Sequence, residues 1–212
     1  MNSWSRPEMV KQQWHCGPGG CPPHGTRRRG EALEQAIMAA AVSEISEVGY
    51  DCMTMEGVAA RAHTGKAALY RRWSSKEDLA VDALQSMLPP CGEPPETGSV
   101  RDDLVVVLGR MVATMNTPAG SAMQNLMGSQ QCGPETIQTV HGRVVEPRKQ
   151  LMLSVLRRGA DRGQVRPDAV TMLAAEVGPA LIVQHVLDDG PPVDRALVEQ
   201  IVDQVLMPLL RP

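Results

Sequence analysis

Phenylalanine is absent from this 212-residue chain, and two tyrosines and three tryptophans are its whole aromatic set. Nothing aromatic follows Trp73, so the rest of the chain must build its core from leucine, valine, alanine and part of a complement of thirteen methionines. A stacking cage for a flat cationic ligand is therefore excluded from the C-terminal part. Long apolar runs are missing as well. No segment can span a bilayer, and the N-terminus lacks the apolar core of a secretory signal, so a cytosolic (cytoplasmic) protein with no membrane partner is expected.

Cysteine is scarce and odd in number: Cys16, Cys21, Cys52, Cys91 and Cys132. This argues against a disulfide framework and fits a reducing compartment. Charge of one sign is not in excess, with 21 basic and 24 acidic residues and a net charge of −3. Any affinity for nucleic acid must therefore be local. No Ser/His/Asp arrangement, Gly-rich phosphate loop or His-Glu metal helix stands out, so the chain is not read as an enzyme and no cofactor is expected.

Sustained strand alternation is also missing, and what is present has helical period throughout. Residues 1 to 26 mix Gly, Pro and Gln without period and read as a disordered N-terminal arm. Leu33, Ile37, Ala41, Ile45 and Val48 then recur at helical spacing up to the stop at Gly49. Thr54 caps a short helix over Met55 to Ala62, and His63-Thr64-Gly65 breaks it. A brief helix follows over Lys66 to Arg72, and Ser74 or Ser75 caps another over Lys76 to Leu88. The stretch "PPCGEPPETG", 89 to 98, separates this N-terminal unit from helical segments over about Ser99–Met115, Ala119–Met127, Glu135–Gly159, Pro167–Leu187 and Val193–Leu209. The fold is expected to be all-α.

Two short helices with a tight turn let the first rest on a phosphate backbone while the second enters the major groove. Between Arg61 and Lys76 lie Arg61, Lys66, Arg71, Arg72 and Lys76, with no acidic residue until Glu77. Gly49-Tyr50, Thr54, Val58-Ala59, Lys66, Leu69-Tyr70, Arg71-Arg72-Trp73 and Ser75-Lys76-Glu77-Asp78-Leu79 stand in an order and spacing that resembles the DNA-binding domain of the tetracycline-repressor (TetR) family, over roughly Glu31 to Leu88. His63 stands where that family usually has Gly, Thr64 where it has a small apolar residue, and Ala68 where it has Thr or Ser. Histidine can occupy the left-handed region, which keeps the turn, whereas Ala68 has lost a side-chain donor to phosphate.

The resemblance implies an N-terminal helix-turn-helix domain over 27–88, a C-terminal ligand-binding and dimerisation domain over 97–210, and double-stranded operator DNA as partner. Lys66 and Ala67 at the start of the recognition helix face base edges, where a lysine can donate to guanine O6 or N7. Tyr70 and Lys76 resemble the family's phosphate contacts, and Thr54 combines capping with phosphate contact. Thr64 and Gly65 in the turn, with Arg71, complete the set. Arg28 and Arg29 follow the duplex or enter the minor groove, as basic arms do. Trp73 is assigned to the core.

"RVVEPRKQLMLSVLRRGADRGQVRPD", Arg143 to Asp168, resembles a helix and turn of the same family's second domain, with the next helix starting at Arg-Pro-Asp. The last two segments are apolar beyond the needs of one helix face, which suits a two-fold four-helix interface in a homodimer, and Pro179 is expected to kink the first of them. An apolar, flexible-walled pocket for an unknown small molecule is assigned to Met111, Met115, Met123, Met127 and Met152, with Gln130, His141, Glu176 or His185 as polar anchors. The reading is a ligand-responsive regulator, a repressor released from a palindromic operator by an apolar or amphipathic inducer. The N-terminal "WHCGPGGCPPH" offers an alternative, a metal or thiol sensor using His15, Cys16, Cys21 and His24, although Cys-x4-Cys lies at the edge of zinc spacing.

Overall fold

The computed structural model describes residues 30–212, and among these every regular element is a helix. Helix α1, Glu31–Val48, buries Ile37, Ala41 and Ile45 along one side and ends at Gly49, whose φ of 84° a side chain would resist. Helices α2, Met55–Arg61, α3, Lys66–Tyr70, and α4, Lys76–Met87, wrap against it. Thr54 Oγ1 accepts from the Gly57 amide at 3.0 Å and Ser75 Oγ from the Asp78 amide at 3.1 Å, so each cap satisfies a donor that the first helical turn leaves unpaired.

Beyond the irregular stretch 89–98 come α5, Val100–Met115, α6, Pro118–Met127, α7, Pro134–Val140, and α8, Glu146–Asp161. The chain closes with α9, Met172–Asp189, α10, Arg195–Ile201, and α11, Met207–Leu210. Two expected single helices are interrupted. Between α7 and α8 the turn His141–Val145 is a π-helix, and so is Val202–Leu206 between α10 and α11. Each precedes a proline by one residue, Pro147 and Pro208. Proline lacks an N–H and its ring crowds the carbonyl four residues back, so the helix widens by one residue: Glu146 N donates to His141 O, and Met207 N to Val202 O. Pro167–Ala169 is a single 3₁₀ turn and not the start of α9. The helix begins at Met172 because Thr171 Oγ1 accepts from the Ala174 amide at 3.1 Å, a cap that outcompetes the upstream Arg-Pro-Asp signal.

The apolar interior divides in a way that the proline-rich stretch does not suggest. One core joins Ile37, Ile45, Leu69, Leu79 and Leu84 of the N-terminal helices to Ala122 and Leu126 of α6, to Val140 at the end of α7 and to Val144 in the π turn after it. The second gathers α5, α8, α9, α10 and α11 around Leu104, Leu108, Leu156, Ile182 and Leu206. Helix α6 thus packs on α1 and α4 while also touching α5. At Gly120 an added Cβ would lie 2.4 Å from Thr114 O and 2.5 Å from Met115 Cα, an approach only glycine permits.

Side chains from α5 and α8 bind the stretch 89–98. Arg148 Nη2 donates to Pro89 O at 2.8 Å, Arg110 Nη1 to Glu93 O at 3.0 Å, and Arg158 reaches Pro94 O at 3.3 Å and Glu96 at 2.9 Å. Asp103 is fully buried and accepts from Thr97 N at 2.9 Å, Thr97 Oγ1 at 2.7 Å and Arg162 Nη2 at 2.8 Å. Burial opposes its charge, but the hydrogen bonds from Thr97 and Arg162 outweigh that and hold its pKa below the ordinary aspartate value.

Candidate nucleic-acid interface

The turn between α2 and α3 forms as expected. His63 adopts φ 53°, left-handed without being glycine, and the His63 and Thr64 amides donate to Ala60 O and Ala59 O at 3.1 and 2.9 Å. The turn thereby sets α3 across α2 with Leu69 and Ala68 inward and Lys66, Ala67 and Tyr70 outward. Ala68 is buried, so the position that carries a hydroxyl in the family packs here against the domain. Tyr70 is 52% exposed, while Trp73 is buried and donates from Nε1 to Asp82 Oδ2 at 3.0 Å. Lys66, Ala67, Gly65, Thr54 and Arg71 are exposed and Thr64 is half-buried. Arg28 and Arg29, like the His15/Cys16/Cys21/His24 cluster, lie outside the described residues.

The basic run read in the sequence is not a free patch of charge. Arg61 is clamped by α1, with Nε 3.0 Å from Glu44 and Nη2 2.7 Å from Glu47. Arg72 pairs with Glu34 at 3.6 Å, and Lys66 pairs with Glu56. Sequence spacing could not show this, because the acids on α1 come alongside only when α1 packs over α2 and α3. Arg71 has no acidic partner among the described residues.

Lys76, assigned to phosphate from the sequence, sits half-buried with Nζ 3.1 Å from Tyr50 O, 3.5 Å from Asp51 O and Met53 O, and 4.6 Å from the centroid of the Tyr50 ring. Its cation ties the start of α4 to the loop after α1. Tyr50 donates from Oη to Glu77 Oε1 at 3.1 Å. Burial first, then the nearby Glu77 charge, pushes its phenol pKa far above the usual value, so the ring stays neutral.

Contacts that no local sequence pattern revealed join this unit to α6 and α7. Asn125 Nδ2 donates to Ile45 O at 3.0 Å, Ser129 hydrogen-bonds Asp51, and Arg143 pairs with Asp82 at 3.2 Å. They had no sequence signal, since Asp51 and Ser129 lie outside the helices and Asn125, Asp82 and Arg143 take exposed or half-buried helical positions.

The residues assigned to a ligand pocket fall in separate places. Met111 and Met115 border the second core and Met152 lies within it, whereas Met123 packs against the first. Met127 and Gln130 face solvent, because α6 ends at Met127 and the chain turns outward. His141 is half-buried in the π turn; Glu176 is paired with Lys149, and His185 with Asp189 at 3.0 Å. A residue that the sequence reading passed over is Gln124 on α6, whose Nε2 is buried without a hydrogen-bond partner among the described residues. Those residues bring together no group of three or more potential metal ligands, and no helix among them is long and apolar enough to cross a membrane.

A capped helix, a left-handed turn and a short exposed second helix on an all-α chain with a separate helical core define a helix-turn-helix DNA-binding regulator. Residues 37–83 match the family described as bacterial regulatory proteins, tetR family, and residues 94–205 match the tetracyclin repressor-like C-terminal domain. An HTH-type transcriptional regulator of Mycobacterium tuberculosis is 30% identical over 178 residues, 84% of this chain and 87% of that protein. The DNA-binding transcriptional repressor TetR of Mycobacteroides abscessus is 29% identical over 185 residues, 87% and 97% of the two chains. Among solved structures, the TetR family transcription regulator SCO0332 superposes with a TM-score of 0.61 at 27% identity, over 86% of this chain and all of that one. NalD of Pseudomonas aeruginosa, the secondary repressor of an efflux pump, superposes at 0.63 with 18% identity, over 86% and 98%, a likeness of fold. The chain belongs to the TetR family of transcriptional regulators.

Proposed function

We propose that this regulator is a homodimeric repressor that covers a two-fold operator and is released when a small apolar or amphipathic molecule binds its C-terminal helices. The observation that carries the reading is the shared core: Ala122 and Leu126 of α6 and Val140 of α7 are packed into the same interior as α1 and α4. Close-packed interiors transmit displacement, so α6 and α7 cannot shift without moving the unit that holds the recognition helix.

Two-fold association is supported by α9. Leu173, Val177, Ala180, Gln184 and Leu187 share one face, opposite the buried Ala174, Ala175, Gly178, Ile182 and Val186. Leu173 is 74% and Leu187 71% exposed, and Val205 and Leu209 on the last helical segments add to the apolar surface. Such a surface marks an interaction site. The ligand part of the reading is supported by two deformable, half-buried methionines bordering the second core, Met111 and Met115, and separately by Gln124 Nε2 on α6, a buried donor without a partner among the described residues.

The test is a panel of uncharged and acidic amphiphiles, screened by thermal shift and then by gel shift on a selected duplex. An inducer must favour the state that does not bind DNA. The reading expects a compound that raises the melting temperature of the free protein and releases the duplex over the same concentration range. If every compound that stabilises the protein leaves duplex affinity unchanged, the induction mechanism is wrong.

A further inference from the structure

Lys66 is the first residue of α3, and its ammonium is paired with the carboxylate of Glu56 on the first turn of α2. This ion pair joins the two helices of the reading unit at the end that meets the groove. Both side chains are more than half exposed, at 55% and 53%, so the pair adds little to the stability of the fold. A carboxylate on this surface also works against affinity, because it repels the phosphates that the neighbouring cations attract. As an acid in the first turn of α2, Glu56 also favours the positive N-terminal end of that helix, and its pairing with Lys66 sets its carboxylate beside the base-reading surface.

The rest of α3 sharpens the point. It reads Lys-Ala-Ala-Leu-Tyr, with Ala68 and Leu69 buried, so Lys66 alone among its first four residues carries a polar side chain outward. Glu56, held beside Lys66, adds an acceptor to that donor. A major-groove G·C edge offers the complement: guanine N7 and O6 accept side by side, and cytosine N4 donates. An A·T edge would leave the ammonium one acceptor beside the donor N6, and would set the thymine methyl against the charged pair.

We propose that Glu56 is a specificity-determining residue that reads a G·C pair jointly with Lys66, the ammonium donating to guanine O6 and N7 and the carboxylate accepting from cytosine N4. The proposal rests on the use of the α2–α3 unit for DNA reading. Its consequence is that each half-site holds one position at which G·C is required by Glu56 as well as by Lys66.

Binding-site selection from a random duplex library, with the full-length wild type, Glu56→Ala and Glu56→Gln, tests it. Gel-shift titrations of the selected duplex, its single-base variants and an unrelated duplex complete the measurement. Wild type should prefer G·C at one half-site position by roughly five- to a hundredfold, the range of one good side-chain-to-base contact. Glu56→Ala should lose most of that preference at that position alone while binding the unrelated duplex more tightly, since a charge facing phosphate is gone. Glu56→Gln, which can still accept from N4, should retain part of the preference. An unchanged selection in Glu56→Ala, or an A·T pair at the position it affects, would overturn the role of Glu56 and leave DNA reading by α3 standing. A wild type that selects no sequence would overturn both.

Discussion

Replacing Asp103 with alanine should be the most damaging single polar substitution in the C-terminal part, and its cost can be worked from the hydrogen bonds. Asp103 accepts from Thr97 N, Thr97 Oγ1 and Arg162 Nη2 at 2.9, 2.7 and 2.8 Å. Removing one member of a buried ion pair costs about 3–5 kcal/mol, because the other charge is left unpaired. The Arg162 side chain is 29% exposed and can be rehydrated, which places the loss near the lower end, about 3 kcal/mol. At roughly 2–4 °C per kcal/mol for a chain of this size, Asp103→Ala should melt about 6–12 °C below wild type at pH 7. Asp103→Asn keeps one acceptor for Thr97 and should lose less. The pH dependence has a definite sign. The folded-state pKa of Asp103 is lowered, so its stabilisation is complete above the unfolded value of about 3.9 and disappears as pH falls through the folded one. Thermal melts followed by circular dichroism from pH 7 down to about 2.5 should show the gap between wild type and Asp103→Asn narrowing. A melting temperature for Asp103→Ala within 2 °C of wild type at pH 7, or a gap independent of pH, would show that the buried Asp103 carboxylate does not hold the Thr97–Arg162 contacts together.

Other substitutions probe other parts of the account. Gly120→Ala would force Cβ against the backbone of α5 and should destabilise by about 1–3 kcal/mol, read from denaturant midpoints; a neutral result would mean that α5 and α6 are not in close contact. Leu173→Glu combined with Leu187→Glu adds four charges to the proposed two-fold interface and should convert the proposed dimer to monomer in sedimentation, with the helical circular dichroism retained. A double variant that sediments as wild type would remove α9 from the interface. Lys76→Ala gives up the contacts to Tyr50 O and the Tyr50 ring and should lose about 1–2 kcal/mol of stability together with operator affinity. If it melts as wild type but lowers the salt slope of DNA binding by roughly one, Lys76 is a phosphate contact instead of an internal tie.

Much of the fold was legible because its signals are local. Thr54, Ser75 and Gly49 mark helix ends through their own chemistry, and the spacing of Ile37, Ala41 and Ile45 declares a buried face. The break at His63-Thr64-Gly65 was readable from its place between two helical patterns, and the left-handed conformation of His63 from the glycine that the family usually carries there. The π turns needed more than periodicity, although Pro147 and Pro208 carried the signal and a continuous apolar pattern hid it. What local pattern could not show was pairing across distance. Glu34, Glu44 and Glu47 belong to α1 in the sequence but to the reading unit in space, where they pair with Arg61 and Arg72 of an apparently free basic run. The same limit hid the shared core, because the Pro- and Gly-rich stretch 89–98 looks like a boundary while α6 and α7 fold back across it.

In the proposed complex two copies of this chain read one duplex through α2 and α3, and its stoichiometry is the decisive measurement. Sedimentation equilibrium of the wild type with a selected two-fold duplex should give a mass of two chains per duplex, or a multiple of two, and Lys66→Ala should dissociate that complex at salt concentrations the wild type withstands. One chain per duplex, or a complex whose stability Lys66→Ala leaves unchanged, would contradict the account.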